Sequence, residues 1–250
     1  VPRVWEKVYS RVPIMANEAT PLGKWAFRRA LAAGMARAEA LENGEAVPAT
    51  TRLSYAVWDF LVLKNLRRML GFDRLRRGTT GAAPISPALL KWYRAVGITV
   101  LEGYGMTESA GVISVNLIEN NKTGTVGQPV PGGEIRISTE GEIQYRGANV
   151  FKGYWNKPDK TEETVTEDGW LKTGDVGRLD NQGFLTITGR VKDIIITAGG
   201  KNITPAEIEN RLKFSPFIAD AVIIGDKRKY LTSLIMIDQE NVEKFAQDRR

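Results

Sequence analysis

The sequence predicts an α/β layer, then a β-rich part, then a small α+β part, and three observations carry that prediction. Apolar residues recur at helical spacing through roughly the first 75 residues. From Gly124 the chain turns to short alternating segments punctuated by Gly and Pro. Past Arg190, strand-like and helical patterns alternate again. These shifts set the boundaries at 1–123 for the α/β part, 124–190 for the β-rich part and 191–250 for the last.

In chain order, "KWAFRRALAAGMARAEALENG" spaces Ala and Leu as a helix that stops at Gly44. "LSYAVWDFLVLKNLRRML" is a second, more apolar helix ending at Gly71. "SPALLKWYRAV" is a third, with Ser86 as N-cap and Pro87 in the first helical position. "GITVLEGYG" predicts a short buried strand running into a glycine turn. "TVGQPVPGGEIRIS", "GEIQYRG" and "GFLTITGR" read as antiparallel strands. "VKDIIITAGGKNITPAEIENRL" reads as a strand, a Gly-Gly turn and a helix opening at Thr204-Pro205, and "IADAVIIGD" and "LTSLIMIDQ" as two further strands.

Composition narrows the chemistry. With no cysteine there is no disulfide, thiolate nucleophile or zinc–thiolate site, and with no histidine there is no Ser-His-Asp triad or histidine base. Carboxylates, lysine, hydroxyls, backbone amides or a hard cation held by oxygen remain. No apolar run approaches the roughly 20 residues that span a bilayer, and no signal-peptide pattern is present, so a cytoplasmic or membrane-peripheral location is expected. The net charge of +6 is uneven. Residues 1–100 hold 16 Lys and Arg against 7 Asp and Glu, while the other 150 hold 19 against 22. The excess peaks in "KNLRRMLGFDRLRR", Lys64 to Arg77, which reads as a solvated helix face or as a contact with an anionic membrane or a polyphosphate. No nucleic-acid motif accompanies it, so no nucleic-acid partner is expected.

The stretch "LEGYGMTESAGVIS", Leu101 to Ser114, looks like a phosphate cradle yet carries no cation. Alone it reads either as a glycine-rich strand-to-loop turn with an exposed Thr-Glu pair or as half of a nucleotide site. "YGMTES" (104–109), "FKGYWNKPDKTEET" (151–164), "GWLKTGD" (169–175) and "GRVKDIIITAGGKNITPAEIE" (189–209) follow one another in the order and spacing of one family. Through them the chain resembles the adenylate-forming superfamily of acyl-CoA synthetases, luciferases and peptide-synthetase adenylation domains. "VPRVWEKV" and "TGAAPIS" resemble most the long-chain fatty acyl-CoA synthetases of the bubblegum type.

The resemblance implies the C-terminal half of a large AMP-binding domain over 1–190 and the start of a small α+β lid over 191–250. It implies ATP-dependent, AMP-forming ligation of a long-chain fatty acid to coenzyme A through an acyl-adenylate. The rivals are another carboxylic acid, transfer to a carrier-protein thiol, or a non-catalytic nucleotide-binding module. ATP, Mg²⁺ and coenzyme A are the implied cofactor and co-substrates. Thr107 would meet phosphate and Glu108 would hold Mg²⁺, both as catalytic residues, with Tyr104 against adenine. Mg²⁺ favours carboxylate and phosphate oxygens, so a glutamate suits a loop whose phosphates arrive with their own cation. Glu102, Gly103, Gly105 and Met106 complete that nucleotide loop, and Gly81, Ala82, Ala83 and Pro84 would flank adenine. The segment "RGTTGAAPIS" lacks the lysine of the family's phosphate loop, with Ile85 after Pro84, so it matches the later Gly-Ala-Pro loop.

Asp175 and Arg190 would reach the ribose, Lys192 would be the hinge, and Gly199, Gly200 and Lys201 would line the coenzyme A tunnel. Ser109, Ala110, Gly111 and Val112 would line the acyl pocket. The lysine-bearing phosphate loop and the lid's catalytic lysine are both missing from these 250 residues. The chain is therefore expected to be an internal fragment of a longer enzyme, inactive alone.

Overall fold

The computed structural model describes residues 2–213 and 215–247, except the side chains at 13, 14 and 17. The chain divides into two compact units, Val1–Gly103 with Val115–Gly127, and Tyr104–Ser114 with Gln128–Arg250.

The first unit is mainly helical. It begins with α1 (Pro2–Glu18), α2 (Pro21–Glu42) and α3 (Ala49–Trp58), followed by a π-helical segment (Asp59–Leu63) and α4 (Lys64–Met69). Strand β1 (Gly78–Thr80), helix α5 (Pro87–Ala95) and strand β2 (Val100–Tyr104) complete the α/β layer. Thr20 starts α2 by accepting the Gly23 N–H at 3.2 Å, with Pro21 in the first turn. The buried stripe of α2 is Ala30, Gly34, Ala38 and Ala40, small enough for α5 to approach closely. A Cβ on Gly34 would lie 2.2 Å from the Ala95 carbonyl oxygen, so only glycine fits there.

Trp5, Leu63, Leu66, Leu89, Tyr93 and Val100 lie in one buried apolar cluster. The Tyr93 hydroxyl donates to the Trp5 carbonyl at 2.5 Å, satisfying a phenol that burial would otherwise orphan. The predicted second helix is interrupted by the π-helical turn. There Asp59 accepts two bonds from Arg67, at 2.6 and 3.0 Å, and the same guanidinium donates to the Val96 carbonyl at 2.8 Å. Strands β1 and β2 pair in parallel, Gly78 with Val100, Thr79 with Leu101 and Thr80 with Glu102. Ser86 occupies the expected N-cap position of α5, but its side chain makes no capping bond.

The second unit opens with a 3₁₀ turn (Thr107–Ser109). Beyond the two-residue strands β3 (Ser114–Val115), of which Val115 counts with the first unit, and β4 (Gln128–Pro129) come β5 (Glu134–Ile137), β6 (Glu142–Arg146), α6 (Pro158–Thr164), β7 (Leu171–Leu179) and β8 (Leu185–Arg190). Strands β5 to β8 form one antiparallel sheet in sequential order, whose inner face buries Ile143, Tyr145, Leu171 and Leu185 completely. A 3₁₀ turn (Val191–Asp193) leads to the hairpin of β9 (Ile195–Ile196) and β10 (Asn202–Ile203). Helix α7 (Pro205–Lys213) packs on β11 (Ile218–Ile224), which pairs antiparallel with β12 (Thr232–Ile237), and α8 (Gln239–Gln247) ends the described chain.

Candidate active site

The loop after β2 is folded by its glycines. A Cβ on Gly105 would lie 2.3 Å from the Gly111 carbonyl oxygen, so this turn closes only over glycine. Ala110 and Gly111 take positive φ of 50° and 97°, and the Gly111 N–H returns to the Met106 carbonyl at 3.0 Å. Ser109 is fully buried, and its hydroxyl bonds to the backbone N–H and carbonyl of Met106 at 3.1 and 3.0 Å. That pins the 3₁₀ turn and leaves Thr107 exposed at its start.

The segment between β6 and α6 holds this loop. The Asn149 amide donates to the carbonyls of Ser109 and Val112, each at 2.7 Å, while the Tyr145 hydroxyl donates to its oxygen at 2.6 Å. The Phe151 N–H donates to the Glu108 carbonyl at 2.8 Å, and the Tyr154 hydroxyl donates to Glu108 Oε1 at 2.5 Å. The Tyr154 phenol is held above its ordinary pKa, first by that bond to a carboxylate and then by burial. Asn149 and Tyr154 are the candidate-site residues that sequence reasoning missed. Tyr154 lay inside a recognised motif without a role, and nothing in local pattern marks Asn149.

Asp175 and Arg190 stand opposite each other in the β7–β8 ladder. Arg190 Nε approaches Asp175 Oδ1 at 3.2 Å, and the Tyr104 hydroxyl donates to Asp175 Oδ2 at 2.6 Å. The Asp175 side chain is 13% exposed and that of Arg190 72% exposed, so the carboxylate is sheltered while the guanidinium stays in solvent. Burial first, and the bond to Asp175 second, push the Tyr104 phenol well above its usual pKa. Two predicted residues thus converge on the carboxylate of a third.

Glu108 is the single predicted metal ligand. Among the described residues no three acidic side chains cluster as a metal site. One of its carboxylate oxygens holds Tyr154, which leaves the other for a cation completed by substrate oxygens and water, the usual arrangement for Mg²⁺. Lys192 lies exposed in the Val191–Asp193 turn. Gly199 and Gly200 form an open turn closed by Gly200 N–H to Thr197 O at 2.8 Å, and Lys201 follows it, exposed. Ala110, Gly111 and Val112 are exposed.

In the first unit, the exposed loop after β1 carries Ala82 at φ 64°, and a Cβ on Gly81 would lie 2.8 Å from the Gly103 carbonyl oxygen. Ala83 and Pro84 follow it in solvent. Glu102 is buried, and its Oε2, like Thr80 Oγ1 on the neighbouring strand, finds no hydrogen-bond partner among the described residues. Burial raises the Glu102 pKa from 4.5 to about 8.

The fold is that of adenylate-forming enzymes. The chain superposes with TM-score 0.59 and 32% identity on O-succinylbenzoate coenzyme A synthetase from Bacillus subtilis, solved in complex with ATP and magnesium ion, covering 75% of this chain and 43% of that one. The chain belongs to the AMP-binding enzyme family, whose profile matches residues 1–155, with the AMP-binding enzyme C-terminal domain matching residues 192–249. It is 44% identical over 248 residues to the long-chain-fatty-acid–CoA ligase FadD15 of Mycobacterium bovis, covering 99% of this chain and 40% of that protein. It is 37% identical over 243 residues to the long-chain-fatty-acid–CoA ligase ACSBG1 of Rattus norvegicus, covering 95% and 33%. The chain therefore spans two fifths or less of these relatives' length.

Proposed function

We propose that the polypeptide carrying this chain joins a long-chain fatty acid to coenzyme A in two steps driven by ATP. A carboxylate oxygen of the acid attacks the α-phosphorus and pyrophosphate departs, leaving an acyl-adenylate. The coenzyme A sulfur then attacks the acyl carbon, AMP leaves, and the thiol proton is released to solvent. The observation that carries the reading is the convergence of Tyr104, Asp175 and Arg190, supported by the names of the relatives.

In this reading the two Asp175 oxygens accept the vicinal ribose hydroxyls, and Arg190 keeps that carboxylate aimed. Tyr104 is fixed by its hydroxyl and offers its ring to the base. Thr107 presents its hydroxyl to phosphate, while Tyr154 fixes the Glu108 carboxylate beside it. Mg²⁺, held by Glu108, would neutralise phosphate charge when bound. Catalysis is then mainly positioning and charge neutralisation, for which neither histidine nor cysteine is needed. Residues 1–190 would form part of the large domain and 191–250 part of the lid, with Lys192 as the residue that turns between two lid poses.

Pyrophosphate exchange by the full polypeptide across a panel of carboxylic acids tests this. Exchange with long-chain acids is expected; preference for an aryl or amino acid overturns the substrate class, and nucleotide binding without exchange overturns the enzyme. The 250-residue chain by itself holds no lysine-bearing phosphate loop and should form no acyl-CoA.

A further inference from the structure

We propose that the outward face of α3, the π-helical segment and α4 docks on an anionic lipid bilayer. One side of this helical run is spent inside the first unit: Leu63 and Leu66 enter the core, and Asp59 is closed by Arg67. The other side carries Leu53, Val57, Phe60 and Leu61, at intervals of four, three and one residues, all exposed. Leu53 and Phe60 are 69% and 70% exposed, a large apolar area to leave in water.

Charge identifies the occupant. Arg52, Lys64 and Arg68 are exposed along the same run, and Lys64 Nζ lies 5.9 Å from the Phe60 ring centroid. Between Arg52 and Met69 the sole acid is Asp59, which Arg67 already neutralises. Apolar side chains rimmed by cations with no ion pair among the described residues fit acyl chains below and lipid phosphates above. Two copies docking through this face would instead gather their cations into one apolar seam. No described helix is long and apolar enough to cross a membrane, so the contact is interfacial, with the run lying in the headgroup plane.

The test is sedimentation of the full polypeptide with phosphatidylcholine vesicles, with and without phosphatidylserine. Partitioning should require phosphatidylserine and fall with added salt. Leu53→Ser with Phe60→Ser should weaken it at least about tenfold. Lys64→Gln with Arg68→Gln should remove most of the phosphatidylserine preference, about fivefold per residue. Both pairs should leave the thermal midpoint and the gel-filtration volume unchanged. Equal binding to both vesicle types overturns the proposal. So does a fall in midpoint or the loss of a dimer with vesicle binding unchanged, because protein would then be what covers the face. Should the serine pair fail to fold, the two glutamine substitutions decide alone.

Discussion

Replacing Glu102 by glutamine should stabilise the protein at neutral and alkaline pH and leave it nearly unchanged in acid. Glu102 sits on β2 beside Thr80 of β1, and both side chains end in a buried oxygen without a partner among the described residues. Burial alone moves its pKa from 4.5 to about 8. The folded state therefore keeps a proton that the unfolded chain releases, so stability falls as the pH rises from about 4.5 to about 8, then levels off. At about 1.4 kcal/mol per pH unit the displacement amounts to about 5 kcal/mol, an upper bound that local relaxation and water entry reduce to about 2–3 kcal/mol. Glutamine keeps the shape and never ionises. Urea unfolding of the two proteins should coincide near pH 4.5 and diverge by that amount near pH 8, with glutamine the more stable. A difference independent of pH, or a glutamine variant weaker throughout, would refute a buried, unpaired carboxyl.

Tyr154→Phe removes the side-chain hydrogen bond that Tyr154 donates to the Glu108 carboxylate, so the Mg²⁺ concentration for half-maximal pyrophosphate exchange should rise by up to about tenfold with the melting midpoint unchanged. An unchanged Mg²⁺ requirement would show that Tyr154 does not position Glu108. Asn149→Ala strips both carbonyl contacts from the 109–112 loop and orphans the Tyr145 hydroxyl, costing about 2–3 kcal/mol in chemical denaturation; a loss below about 0.5 kcal/mol would count against the clamp. Gly105→Ala should cost about 2 kcal/mol or more and abolish nucleotide binding measured by calorimetry, since its Cβ has no space beside the Gly111 carbonyl. Retained binding would mean that the loop opens freely.

Much of the fold was legible because local chemistry agreed with it. Pro87 and Gly44 punctuate helices as their backbone preferences require, whereas the Thr20-Pro21 start of α2, three residues before the predicted stretch, went unread. What was missed needed distant parts of the chain. Strand β7 was hidden because Gly174 and Gly177 break the two-residue alternation, and its place is set by β6 and β8 on either side. The π-helical turn in the second predicted helix has no local sequence signal; Arg67, which grips Asp59, also bonds the Val96 carbonyl at the end of α5. Ser86 has the right identity for a cap but no capping bond, because residue type permits that contact without compelling it. Asn149 and Tyr154 acquire meaning only once the connection between β6 and α6 brings them to the loop.

The candidate site therefore depends on sheet register as much as on the identity of its residues. Asp175 meets Arg190 across β7–β8, and the register shifts immediately afterward, between Val176 and Gly177. Gly177 tolerates that bulge because it has no Cβ, which would lie 2.6 Å from the Thr186 carbonyl oxygen. A slip of one residue would turn Asp175 or Arg190 to the other face, separating the carboxylate from both its partners. The motif residues and the glycine that stands between them in the sequence are thus one structural unit: the first supply the side chains, and the second puts the carboxylate where Tyr104 and Arg190 can reach it.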